Sequence, residues 1–317
     1  MGGIRNMRAP ALAPARARTA AMAVRCTLVG AALAILMGAG PAPASHQATS
    51  SKAARADATR AIPYQQLDAA TREKVAGVVA HTSLFRRMPL HVAECDPDLY
   101  HFLAENPDLI VSMWDALGIS QVTVKRTGPT TFEANDGAGT RAEIELCAST
   151  ADTQLYYCRG RYEGTMFDRA IEARCVLVLK SRIKPDAHGR PIATTRLDVF
   201  IEIPHAGLQI VAKTLQPLIV HSADYNFTET ASFVSLVSRT AVRNPGGLAR
   251  LSRRMTGVDD ERREEFVELT AQVAERARDR AEQLAAKTTE AASTVVRSQD
   301  GPSGPKPSKP AGSTIRR

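Results

Sequence analysis

Catalytic signatures are what this sequence most visibly lacks. It has no Gly-rich phosphate loop, no His-Glu-x-x-His and no Gly-x-Ser-x-Gly. The chemistries that need those spacings therefore find no support. Cysteine is scarce: five in 317 residues, with no Cys-x-x-Cys. That argues against a structural zinc site and against thioredoxin-type exchange. Long apolar runs are missing as well. The run from Thr27 to Gly40, TLVGAALAILMGAG, is short for a bilayer span. Acidic side chains are absent from residues 1–44, which hold Arg5, Arg8, Arg16, Arg18 and Arg25.

What stands in that first segment is a pattern for export. A basic start, a short apolar core and a small-x-small site, Ala42-Pro43-Ala44 before Ser45, read as a secretory signal peptide over 1–44. The alternative is an uncleaved N-terminal anchor. No Cys follows the apolar core, which argues against a lipoprotein anchor. The expected location is periplasmic or extracellular, with no stable membrane span after cleavage. Cleavage lowers the net charge from +8 to +3. The basicity is thus mainly a targeting feature, and no nucleic-acid partner is expected.

Residues 45–61 are rich in Ala, Ser and Thr and read as a flexible linker. Pro63 to Arg87 has a helical pattern, and Leu90 to Ala93 fits a short strand. Asp96-Pro97 predicts a helix start, with Asp as cap and Pro at the first helical position. Asn106-Pro107 predicts a break and a second helix ending near Gly118. Trp114, the single Trp, is expected in the core.

From Ile119 the apolar period changes from helical to two. Strands are expected at Gln121–Arg126, from Phe132, at Arg141–Cys147, Gln154–Tyr162, Arg169–Lys180 and Arg196–Ile203, with turns at Asn135-Asp136-Gly137 and Pro185–Gly189. Pairing Glu145 with Arg159 and Glu143 with Arg161 puts opposite charges together on a wet face. The same register puts Leu146 opposite Cys158, Ile144 opposite Gly160 and Ala142 opposite Tyr162 on a dry face. Four cysteines remain after export, and four thiols allow three complete pairings. A bridge between Cys158 and Cys175, both inward, and two free buried thiols are both open readings.

His205 to Thr240 is the longest apolar-periodic run outside the signal, and Pro217 inside it predicts a kink or break. Residues 62–247 are then one α+β domain. A charged helical extension over 248–297 reads as a solvated face, with a protein partner as the alternative. A Pro/Gly/Ser/Lys tail over 298–317 is expected to be disordered. Asn226-Phe227-Thr228 matches the glycosylation pattern but falls inside a helical run. His91, Cys95, Asp98 and His101 carry metal-ligand side chains. A strand-to-helix change scatters them, so no metal or other cofactor is expected. His221 stands three residues before Asp224 and four before Tyr225. Such a trio could serve acid–base work, yet no nucleophile accompanies it.

The layout of strand, two short helices, antiparallel hairpins and one long helix resembles the helix-grip fold of the START and polyketide-cyclase-like superfamily. CDPDLYHFLAENPDL, the hairpins and GLQIVAKTLQPLIVHSADYNFTETASFV carry the resemblance, over about Leu90 to Thr240. It implies an antiparallel sheet curved around the long C-terminal helix, with extra N- and C-terminal helices and an apolar ligand held in the gap. The export signal and the missing catalytic signature depart from the family pattern. The expected lining is Ile144, Leu146, Tyr156, Cys158, Tyr162, Cys175, Leu177, Val199, Ile201, Leu215 and Ile219, with His221 and Tyr225 as polar contacts. The reading is an exported carrier of a hydrophobic small molecule or lipid. Its rivals are a non-catalytic interaction domain with a filled core, and a small-molecule enzyme using His221 and Asp224.

Overall fold

A computed structural model describes residues 47–164, 170–204 and 208–299, with side chains left out over 208–222 and 290–299. The elements run α1 Lys52–Arg60, α2 Ala69–Ala80, β1 Leu84–Arg87, β2 His91–Glu94, α3 Pro97–Glu105, α4 Pro107–Ala116, β3 Thr123–Arg126, β4 Thr131–Asn135, β5 Thr140–Ser149, β6 Thr153–Tyr162, β7 Ile171–Pro185, β8 Pro191–Glu202, α5 Leu208–Arg243, α6 Pro245–Ser252 and α7 Asp260–Gln299. The segment expected to be a signal peptide, and the tail after 299, lie outside that description. Among the described residues no helix is long and apolar enough to cross a membrane.

The strands form one antiparallel sheet in the order β1-β8-β7-β6-β5-β4-β3, and β2 also pairs with β8. Sequential strands pair through hairpins wherever turn residues allow it. At the β4–β5 turn Asp136 Oδ1 accepts from the Ala138 and Thr140 amides, and Gly137 takes φ +67°. The β5–β6 register departs from the charge-matched expectation by two residues. Glu143 faces Arg159, Ile144 faces Cys158 and Leu146 faces Tyr156. A two-residue shift preserves the faces, because side chains alternate with period two. The cause is local: Thr150 and Asp152 fix a tight turn, and an irregularity between Leu146 and Ala148 absorbs one residue. Arg141 thereby faces Arg161. Glu163 at 2.5 Å and Glu172 at 3.4 Å offset that pairing by engaging Arg161.

The sheet is covered on both faces for much of its width. On one face lies the larger core, formed with α3, α4, α5, α6 and the first half of α7. On the other, Leu155, Val176, Val178 and Phe200 pack under α1 and α2 through Ala54, Ala58, Val75 and Val78. The flexible linker expected over 45–61 is therefore largely a docked helix. Ser51 caps it, and Ala54 and Ala58, one turn apart, are buried. Composition misled because small residues fit close helix–sheet packing as well as a linker. Asp57 adds a polar clamp, accepting from Arg87 at 2.8 Å. Arg87 in turn holds Asp198, fully buried on β8, at 2.6 and 2.9 Å. The helical expectation for 63–87 stops at Ala80, since Leu84–Arg87 pairs with β8.

The starts of α3 and α4 fall at their prolines. Asp96 Oδ1 accepts from the Asp98 and Leu99 amides, and Pro97 and Pro107 begin their helices. The 36-residue α5 runs through position 217 without a break. The domain does not end at 247. Asn244 caps α6, and Leu248, Met255, Phe266, Thr270 and Val273 are buried. Arg276 on α7 reaches Asp96 at 2.8 and 3.3 Å, tying α7 to the start of α3. Exposure is continuous only farther along α7, at Ala281–Thr289.

Candidate functional site

Between the inner face of the sheet and the helices lies a cavity of about 190 Å³. Its floor is β7 and β8, through Cys175, Leu177, Leu179, Leu197, Val199 and Ile201, with Ile144 and Tyr156 from β5 and β6. Its walls are α3 and α4, through Leu103, Pro107, Ile110 and Trp114, and α5, through Ala223, Phe227, Ala231 and Val234. The α5 positions step by four, four and three, so they share one helix face. Ala at 223 and 231 keeps that face low and leaves space beside Phe227. Among the described residues, the lining is apolar except for Arg86, Tyr100, Tyr156, Thr195, Asn226 and Thr230 and the weakly polar Cys175 thiol.

The helical wall is fixed by a buried polar joint. Arg126 on β3 donates to both carboxylate oxygens of Asp108 at 2.9 and 3.1 Å, and to Asn106 Oδ1 at 2.6 Å. Its guanidinium also lies 4.5 Å from the Phe132 ring centroid. Asp108 and Asn106 are buried, so this fork sets the α3–α4 corner against the sheet edge. Trp114 meets Phe233 of α5 edge-on, at 5.7 Å between ring centroids.

The polar groups of the cavity are mostly committed. Arg86 pairs with both carboxylate oxygens of Asp224, bringing β1 onto α5. The Tyr156 hydroxyl donates to the Ala104 carbonyl. Burial pushes its pKa far above the usual phenol range. Tyr100 differs. Burial raises its pKa, with Thr195 and Ser181 near enough to oppose the rise. Yet neither the Tyr100 hydroxyl nor Ser181 Oγ has a hydrogen-bond partner of proper geometry among the described residues.

Of the residues expected to line a pocket, Ile144, Tyr156, Cys175, Leu177, Val199 and Ile201 stand together on this cavity. Leu146 packs against the inner core without lining it, and Cys158 is fully buried beneath. Tyr162, at the end of β6, lies away from it. Tyr225 is 37% exposed and not on the lining, because its step along α5 turns it from the sheet. Side chains of Leu215, Ile219 and His221 lie outside the described residues. Asp224 is engaged by Arg86, so a His221–Asp224 dyad would have to compete with that pair. His91 lies 3.3 Å from Ser232, and Asp96 caps α3. No group of three or more His, Cys, Asp or Glu among the described residues could hold a metal ion. Cys158 and Cys175 face one another across β6 and β7, and both are free thiols.

Sequence reasoning missed the α3–α4 wall and the polar trio of Tyr100, Ser181 and Thr195. The α4 run Pro107 to Trp114 is buried at every position. Its all-round apolar pattern was the available signal for a helix enclosed on several sides. The outer face beyond α1 and α2 carries a shallow groove lined by Lys125, Glu133, Arg141, Glu143, Arg159, Arg161 and Glu172. Like charges meet there, Glu133 facing Glu143 and Arg141 facing Arg161, and the ion pairs Arg159–Glu143 and Arg161–Glu172 partly offset them.

No family model matches the chain, and no curated protein matches it. Among solved structures it is similar to a conserved protein from Geobacillus kaustophilus, at 9% identity and a TM-score of 0.32, over 46% of this chain and 92% of that one. It is similar to Ara h 8.0201 at 13% identity and a TM-score of 0.25, over 45% and 99%. It is also similar to apo dicamba monooxygenase at 14% identity and a TM-score of 0.26, over 68% and 60%. Likenesses of this strength carry no argument about function.

Proposed function

We propose that this chain is an exported binding protein or carrier that holds a hydrophobic small molecule between its sheet and its long helix, in a helix-grip arrangement. One observation carries the reading: apolar side chains from β5–β8, α3, α4 and α5 surround about 190 Å³ of unfilled space where a core would otherwise close. The basic, acid-free start and the Ala42-Pro43-Ala44 site support export to a periplasm or the outside. The chemistry favours binding over catalysis, because Asp224, next to the lining residue Ala223, is neutralised by Arg86. Native mass spectrometry of gently purified protein tests it, with solvent extraction to release and weigh any companion. A co-purifying apolar molecule, lost on extraction and regained on incubation, is the expected result. A protein that is ligand-free as purified, and takes up no apolar probe at millimolar concentration, would sink the proposal.

A further inference from the structure

We infer that the occupant of this cavity is a small neutral molecule, apolar over most of its surface and carrying one oxygen, and that the hydroxyls of Tyr100 and Thr195 on the lining, backed by Ser181, recognise that oxygen. The inference rests on the cavity being a binding site, as proposed above. Tyr100 comes from α3, whereas Ser181 and Thr195 stand directly opposite one another on β7 and β8. Their exposures are 6%, 5% and 4%. Leu179 and Leu197 flank the pair on the same strands and line the cavity with Tyr100 and Thr195. A buried hydroxyl without a partner is unfavourable, and native folds rarely keep one. Here two, on Tyr100 and Ser181, lie close to Thr195 at the edge of an apolar space. An oxygen brought in by the ligand can accept from one hydroxyl and, if it is itself a hydroxyl, donate to another.

Charge and size narrow the class. Arg86 is the charged residue on the described lining, and its Nε and Nη2 donate to the two carboxylate oxygens of Asp224, which neutralises it. A carboxylate ligand would have to displace Asp224, share one guanidinium with it as a second negative charge, or sit among hydroxyls with no counter-charge, and each is costly in an apolar site. Along β8, Val199, which faces Arg86, lies four residues from Thr195, or roughly 13 Å at the usual rise per residue. The trio and the ion pair are therefore separate polar points. The cavity, about 190 Å³, is somewhat larger than the roughly 150 Å³ apolar cavity that takes up benzene. A single substituted ring, or a chain of similar bulk, matches it better than a long acyl chain.

Three probes of one shape test the inference: 4-methylphenol, p-xylene and 4-methylbenzoate, titrated calorimetrically at pH 7 into the full chain. The phenol is expected to bind about fivefold more tightly than the xylene, the ratio one neutral hydrogen bond supplies. The benzoate is expected to be the weakest. Tyr100→Phe should bring the phenol-to-xylene ratio close to one. It should also leave the melting temperature of the ligand-free protein unchanged or raised, since the lost hydroxyl makes no well-formed hydrogen bond among the described residues. Thr195→Val, which keeps the shape of the side chain, provides the same ratio should the first variant fold poorly. Equal wild-type affinities for phenol and xylene, or a ratio that survives both substitutions, overturn the hydroxyl anchor. Tightest binding by the benzoate overturns neutrality. If none of the three binds, the binding-site reading falls together with this one.

Discussion

Val178 and Val199 offer the same deletion on opposite faces of adjacent strands. Val178, on β7, is fully buried in the packed layer under α1 and α2. Val199, on β8, is buried at 7% exposure and borders the cavity. Val→Ala removes two methyl-sized groups, about 1.6 kcal/mol of lost transfer free energy at ~0.8 kcal/mol each. At position 178 the surroundings are close-packed, so a void opens. At roughly 24 cal/mol per Å³, a void of about 40 Å³ adds about 1 kcal/mol. At position 199 part of the side chain already faces empty space and makes fewer dispersion contacts, so most of that addition is absent. The expected losses are about 2.5 kcal/mol for Val178→Ala and about 1.5 kcal/mol for Val199→Ala. Urea unfolding followed through Trp114, buried in α4, measures both, with an unchanged denaturant slope as the check that only stability moved. Losses equal to within about 0.3 kcal/mol would refute the reasoning, because they would mean that the inner face is packed as tightly as the outer and that the space beside Val199 is filled.

Two other perturbations follow from the structure. Asp96→Ala removes the α3 cap and the buried partner of Arg276, so a loss of about 2 kcal/mol is expected by thermal or urea unfolding; an unchanged midpoint would mean that α7 is not anchored there. The pH dependence concerns the thiols. Burial pushes Cys95 and Cys175 up to about 12, above the ordinary thiol value. A raised folded-state pKa means that this stability is complete below the unfolded pKa, near 8.5, and is lost as pH rises toward 12. The midpoint of unfolding should therefore fall from about pH 9 upward, by at most about 1.4 kcal/mol per pH unit for each thiol. Cys95→Ala should flatten the fall; an identical slope in that variant would show that the thiol ionises equally in both states.

Local chemistry made much of the fold legible. Asp96-Pro97 and Asn106-Pro107 start helices because proline lacks an amide proton; Asp96 adds a side-chain acceptor, whereas Asn106 Oδ1 is taken by Arg126. Alternation over Ala142, Ile144 and Leu146 assigned faces that survived a two-residue error in register, since a shift of two cannot move a side chain across a sheet. The same alternation failed at Cys175 to Leu179, where every residue is apolar. That stretch signals burial on both faces, and Val176 and Val178 proved as buried as their neighbours.

The sequence alone thus determined where the proline-led helices begin, where the period changes to two and which residues of the hairpin strands share a face. These depend on contacts within a few residues. Tertiary structure decided what lies against each face. An Ala-rich stretch became α1 because Asp57 could reach Arg87 and small side chains could approach Phe200's layer. The charged C-terminal run became part of the core because Phe266, Thr270 and Val273 are buried where α7 packs against α5 and α6. The cavity is a mismatch between the volume of the inner side chains and the space the elements enclose, so no pattern along one strand or helix encodes it. The same holds for the long run that ends in α5. Its apolar stripe announced a face to be covered, and only packing placed Asp224 on Arg86 and set Phe227 beside unfilled space.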